Sequence, residues 1–126
     1  MTGVQTCALP IYVDSGEISG RRLLHEAPPT AGIPDGLCVD TLGGLWSARW
    51  DGSRLVHHQP DGTVDREITI PTLRPTSCCF AGPKLDQLFV TSARLSDEPP
   101  NSLAGGVFRV TGAGQGRPVR RSHLFC

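Results

Sequence analysis

The octapeptide Ile33-Pro34-Asp35-Gly36-Leu37-Cys38-Val39-Asp40 decides how the rest of the chain is read. Pro34 holds its own φ and biases Ile33 toward extended backbone, while Gly36 accepts geometries that a Cβ resists. The apolar run Leu37-Cys38-Val39 that follows is expected to form a buried inner strand. Such a stretch aims one carboxylate, Asp35, out of the end of a sheet. The same letters return at Pro60-Asp61-Gly62, between two short strand-like runs, where they read as an ordinary turn. The tripeptide by itself therefore carries no chemistry, and its surroundings must supply the difference.

Outward from the octapeptide, turns and short apolar runs alternate. Gly43-Gly44 turns into Leu45 through Trp50, Asp51-Gly52 into Leu55-Val56-His57-His58, and Pro60-Asp61-Gly62 into a run from Val64 to Ile70 closed by Pro71. Upstream, Tyr12-Val13, Glu17-Ile18 and Arg22 to His25 read as strands before the Pro28-Pro29 break. A second copy follows. Pro34 and Pro75 lie forty-one positions apart, matching Leu37-Cys38-Val39 to Cys78-Cys79-Phe80, and Leu45-Trp46 lies forty-three before Leu88-Phe89. Leu55-Val56 corresponds to Val107-Phe108 after a longer insertion through Pro99-Pro100. Four short strands repeating with a period in the low forties are the pattern of a β-propeller blade. The expected fold is all-β with very little helix: the end of one blade, one full blade and three strands of a third, about two and a half blades of a partial propeller.

Composition narrows the function. The 126 residues suit one domain, and 12 basic side chains balance 12 acidic ones, so nothing draws the chain to nucleic acid or to an anionic membrane. No apolar run reaches the length of a membrane span. The five cysteines show no CxxC spacing, so neither a zinc knuckle nor a disulfide framework is indicated, and free buried thiols in a reducing, cytoplasmic setting are expected. Cys78 and Cys79, like His57 and His58, are strand neighbours that point to opposite faces and cannot share a metal. Trp46 and Trp50 share parity with Ala48 and suit packing between blades, with Trp50, near a loop, also placed to line the funnel. Thr76 and Ser77 occupy the places of Asp35 and Gly36 in the next blade, which makes them candidates to touch substrate or water; hydrogen bonding at a strand end is the plainer alternative.

The run IPDGLCVDTLGGLWSARWDGSRLVHHQPDG, followed by PTSCCF, LFVTSAR and AGGVFRVTG, resembles the C-terminal part of the regucalcin or gluconolactonase family, also called the senescence marker protein family. The likeness spans most of Tyr12 to about Arg117. It implies a six-bladed propeller with one divalent metal cation (calcium, zinc, magnesium or manganese) at the central channel, acting on a small-molecule sugar lactone. The family's Pro-Asp-Gly aspartate matches Asp35, which the resemblance makes a metal ligand and the proton acceptor or donor. Its other ligands, a Glu and an Asn, match nothing in this sequence, so a chain holding one corner of the site is expected to be inactive alone. A noncatalytic propeller that binds calcium or a small ligand is the alternative.

Residues 1–11 resemble something else, the translation of a common short-read sequencing adapter read from a GTG start. They are set aside as a non-native segment, leaving residues 12–126 as the propeller portion of a longer protein. Amplifying the source locus with flanking primers is expected to return different codons for these eleven positions. Finding the same codons in genomic DNA refutes it.

Overall fold

The computed structural model describes residues 4–8, by their backbone, and 22–118. The strand expectations at Tyr12-Val13 and Glu17-Ile18 fall outside that range. Among the described residues nine strands run in order: β1 (Val4–Ala8), β2 (Arg22–Ala27), β3 (Ile33–Val39), β4 (Leu45–Trp50), β5 (Arg54–His58), β6 (Val64–Thr69), β7 (Pro75–Ala81), β8 (Gln87–Ser92) and β9 (Val107–Thr111). The helix among the described residues is a single 3-10 turn, Pro29–Ala31, at the proline break. Pairing is antiparallel throughout, in sheets β1-β2, β3-β4-β5-β6 and β7-β8-β9. The middle sheet is a four-stranded meander and the last, among the described residues, has three strands. This is an all-β, partial β-propeller.

Residues 4–8, set aside above, lie beside β2 as an edge strand. That pairing is made by backbone groups, which any extended segment can offer to a free sheet edge. Origin and pairing are therefore separate questions.

Strand parity sorts the side chains of the middle sheet. Cys38 pairs with Trp46 and Trp46 with His57, while Ala48 pairs with Leu55 and Leu55 with Ile68, so these residues share the face turned toward the third sheet. There they meet Cys78, Phe80, Leu88 and Val90, and Trp46, Ala48, Leu55, Ile70, Leu88 and Val90 are buried. Trp46 does pack between blades as expected, stacked on His57 at 4.6 Å with the Arg66 guanidinium 4.9 Å from its ring centre. The opposite face turns toward β2. It holds a buried polar contact, in which Arg49 Nη2 donates to His58 Nε2 at 2.9 Å and the His58 Nδ1 proton faces the Gly62 carbonyl at 3.4 Å. His25 of β2 stacks obliquely on His58 at 4.6 Å.

One expectation fails. Leu37 and Val39 are not buried: together with Ile33 they form a half-exposed row, at 49%, 40% and 49%. In β3 successive side chains alternate, so only Cys38 turns into the seam with the third sheet. The cysteines also differ from one another, with Cys78 buried, Cys38 half-buried and Cys79 exposed. Their opposite orientations at 78 and 79 are as strand geometry requires.

The exposed row on β3 and Val107, 65% exposed on β9, are apolar flanks of the kind that draw chains together. The 126-residue chain is expected to elute above monomer mass in light-scattering chromatography, and a monomer with a sharp cooperative melt refutes this.

Burial pushes the His58 pKa down from 6.5 to about 4, with the neighbouring His25 and Arg49 adding to the effect. Above pH 6.5 the ring is neutral in folded and unfolded chains alike. Between 6.5 and about 4 the unfolded chain takes up a proton that the folded chain refuses, so stability falls as pH drops through that window. Urea midpoints at pH 7 and about pH 4.5 should therefore differ less in His58→Gln than in the parent chain. An unchanged difference refutes a neutral His58.

Candidate functional site

The octapeptide's backbone is irregular where its chemistry lies. Pro34 pairs with Arg49 and Leu37 with Ser47, which leaves Asp35 and Gly36 opposite Ala48 alone. This is a β-bulge, a device that bends a strand and re-aims a side chain. The Asp35 side chain is exposed and, among the described residues, makes no hydrogen bond or ion pair. Gly36 lies against the neighbouring blade so closely that a Cβ there would stand 2.3 Å from Ser77 Oγ and 2.7 Å from Ser77 Cα. The glycine lets the inner strands β3 and β7 approach, and the approach anchors the backbone beside Asp35.

β7 repeats the arrangement in smaller form. Pro75 pairs with Ser92 and Ser77 with Thr91, so Thr76 is the extra residue of a second bulge. The Thr76 and Thr91 hydroxyls are 2.8 Å apart and hydrogen-bonded, so Thr76 has a strand-end partner. Ser77 is committed to the contact with Gly36. Trp50 pairs with Ile33 at the same end of the sheets, half-buried, with the Arg74 guanidinium 5.7 Å from its ring centre. The structure thus gathers Asp35, Thr76, Ser77 and Trp50 at the ends of β3, β4 and β7.

Sequence reasoning missed Arg74, which organises that end. Its Nε donates to Asp51 Oδ1 at 2.8 Å, its Nη1 to Asp97 Oδ1 and Glu98 Oε1 at 2.9 Å each, and its Nη2 to Asp97 Oδ2 at 2.6 Å. One guanidinium so ties the β4–β5 turn and the β8–β9 loop to the start of β7. These hydrogen bonds, with Asp97 foremost, hold the Arg74 pKa above its ordinary value and Asp97 below that of a free carboxylate. Arg94 pins the same loop through its Nε to the Ala104 carbonyl at 3.1 Å and its Nη2 to that of Ser102 at 2.8 Å. A signal was present: Arg74 precedes Pro75 just as Ile33 precedes Pro34, an arginine where the first copy has an apolar residue.

The second Pro-Asp-Gly is occupied in a different way. Asp61 Oδ1 accepts from the Thr63 backbone N–H at 2.9 Å and from its hydroxyl at 2.7 Å, and both hold the Asp61 pKa below the usual carboxylate range. Gly62, at φ 95°, passes under the Leu24 carbonyl. This is a turn aspartate whose lone pairs are in use.

At the far end of the sheets His57 bridges two carboxylates, Nε2 to Asp40 Oδ2 and Nδ1 to Asp65 Oδ2, each at 2.8 Å. Asp40 Oδ1 also accepts the N–H groups of Leu42 and Gly44, closing the β3–β4 turn. A wide surface depression, lined by Asp86, Gln87, Arg109 and Thr111, is at this far end too, away from Asp35. The depression is a hollow open to solvent, lined by Asp86 and Arg109 among others, and no bulge re-aims a side chain into it. Among the described residues no group of three or more His, Cys, Asp or Glu side chains is arranged to hold a metal ion, and both His57 ring nitrogens are taken up by its carboxylate partners. Asp35 suits a hard cation as one oxygen donor, and such a cation takes six or more oxygens, so the described residues fit one position of its shell.

The fold and this end of it define the class first: antiparallel blades packed face to face, with a bulge-borne aspartate at the end of an inner strand. Residues 4–94 match the family model described as SMP-30/Gluconolactonase/LRE-like region, and the chain belongs to that family. Pentonolactonase XacC of Haloferax volcanii is 42% identical over 119 residues, covering 88% of this chain and 41% of that protein. Human regucalcin is 36% identical over 107 residues, covering 81% and 36%. A luciferin-regenerating enzyme superposes with a TM-score of 0.78 at 32% identity, covering 89% of this chain and 39% of that one. Agrobacterium tumefaciens regucalcin, described as a calcium-binding protein, shares the fold with a TM-score of 0.77 at 24% identity, covering 94% and 42%. The chain thus spans about two fifths of the length of these relatives.

Proposed function

We propose that the protein to which this chain belongs hydrolyses lactones of sugar acids, with Asp35 as one ligand of a divalent cation and as the group that moves the proton. The observation that carries this reading is the contrast between two identical tripeptides. Asp61 spends its carboxylate on a turn, whereas Asp35 stands exposed on a bulge with no protein partner among the described residues. The family includes a relative named pentonolactonase, which supports a lactone as the substrate class.

The chemistry explains the choice of residue. Opening a lactone adds water to the ring carbonyl, breaks the acyl–oxygen bond and leaves a proton for the ring oxygen to collect. A carboxylate beside the carbonyl can take the water's proton and hand it to that oxygen. Asp35 would hold a divalent cation as one oxygen ligand, and the bound cation would supply Lewis acidity toward the carbonyl. Thr76 and Trp50, at the same end of the sheets, are our candidates to meet the sugar's hydroxyls and ring face. Because Asp35 alone is a weak ligand, the 126-residue chain is expected to be inactive, and activity belongs to the longer protein. Cytoplasmic residence fits three thiols kept free among the described residues.

The test is Asp35→Asn in the longest reading frame that contains this chain, assayed on aldonolactones with added divalent metal. The substitution keeps size and one carbonyl oxygen but removes the charge. Hydrolysis should fall by more than the roughly 10²–10⁴-fold typical of general acid–base catalysis alone, with the fold intact by circular dichroism. Asp61→Asn should keep nearly normal activity. An active Asp35→Asn with unchanged metal affinity removes the site. Metal binding that depends on Asp35 in a parent inert toward every lactone favours the noncatalytic, calcium-binding reading.

A further inference from the structure

Halfway along the inner strands a second reactive arrangement crosses between blades. Cys38 of β3 and Cys78 of β7, forty positions apart and in different sheets, place their Sγ atoms 3.6 Å from each other. Cys78 is buried, with its Sγ 3.6 Å from the Trp46 carbonyl, while Cys38 is half-buried. Cys79, next in sequence, is exposed and turned to the other face of the sheet. We propose that Cys38 and Cys78 form an oxidative modification site, a dithiol that a peroxide converts to a disulfide joining the inner strands of neighbouring blades.

The sulfurs already touch, and closing to a bond length of roughly 2.05 Å asks for a shift of about 1.5 Å shared between two side chains and their strands. The order of events follows from the surroundings. Hydrogen bonding from Cys78 lowers the Cys38 pKa and favours its thiolate, while the same bond and burial push the Cys78 thiol up. Cys38, the more accessible sulfur, therefore attacks first. Its thiolate displaces hydroxide from one oxygen of hydrogen peroxide and becomes a sulfenic acid. The Cys78 sulfur then attacks the Cys38 sulfur, its proton leaves with the sulfenic oxygen as water, and the S–S bond forms. Two thiols lose two electrons and one peroxide is reduced to two waters. This matches the pattern of an accessible, thiolate-favouring cysteine beside a resolving one.

The bond would act on the neighbouring site through the backbone. Cys38 lies two residues beyond Gly36, and Cys78 follows Ser77, so the linkage would lock the spacing at which Gly36 meets Ser77. The blades meet there through packing and hydrogen bonds alone when the thiols are reduced.

Peptide mapping of the whole 126-residue chain decides the matter. The chain is treated with hydrogen peroxide or with dithiothreitol, blocked with N-ethylmaleimide, digested with trypsin and read by mass spectrometry. Expected is a linked pair of peptides carrying Cys38 and Cys78, lighter by two hydrogens than their sum, in both the parent and Cys79→Ser. In Cys78→Ser that pair should vanish and dimedone should trap a sulfenic acid at Cys38. Full alkylation of Cys38 and Cys78 after peroxide, or linkage of Cys38 through Cys79, overturns the proposal. The Cys79→Ser map gives that answer even if Cys78→Ser fails to fold, because Cys78 and Cys79 share one tryptic peptide and only that variant leaves Cys78 as its sole thiol.

Discussion

Face-to-face packing of the middle and last sheets supports everything else in the described chain. Trp46, Ala48 and Leu55 from one side and Cys78, Phe80, Leu88 and Val90 from the other close a seam from which water is excluded. Fully burying a Leu, Val or Phe contributes about 1.5–3 kcal/mol, so this handful of side chains outweighs any single polar contact in the structure. The seam also fixes parity. Once Cys38 and Trp46 face it, Leu37 and Val39 must turn away, and the bulge after Pro34 decides where Asp35 emerges.

Within the described residues, most strands and turns could be read directly from the sequence. Gly43-Gly44, Asp51-Gly52 and Pro60-Asp61-Gly62 punctuate the chain where the turns occur, and the near-identical offsets of Pro34 to Pro75 and Leu45 to Leu88 correspond to blade following blade. What escaped were the contacts between segments distant in sequence. Nothing local says that Cys38 will touch Cys78, that His57 will sit between Asp40 and Asp65, or that Arg74 will collect three carboxylates. Such contacts depend on how sheets twist against each other, and a one-dimensional pattern does not encode twist. The burial expected of Leu37 and Val39 failed for a related reason. An apolar run suits a strand covered on both faces, and here β3 is covered on one.

The candidate site was legible to the extent that its backbone was peculiar. Pro34 and Gly36 announce an irregular strand, and the structure places a two-residue bulge there. The second Pro-Asp-Gly has the same letters in a hairpin, where Asp61 folds back on Thr63. Context separated the two because one is preceded by a proline break and followed by an apolar run, whereas the other sits between strands already paired. Arg74 shows the converse. Its role is set by Asp51, Asp97 and Glu98, two of them in an insertion that has no counterpart in the first copy.

The close approach at Gly36 has an evolutionary meaning. A side chain at that position would meet not only the Ser77 hydroxyl but also the Ser77 Cα, so trimming Ser77 to glycine would not make room for it. No single compensating change on β7 reopens the position, and the route by which most crowded contacts drift, enlarging one partner while shrinking the other, is closed. Asp35 is under no such steric restraint, since its side chain points into open space. Lineages exploring new chemistry on this scaffold are therefore free to vary the functional group while the glycine beside it stays fixed.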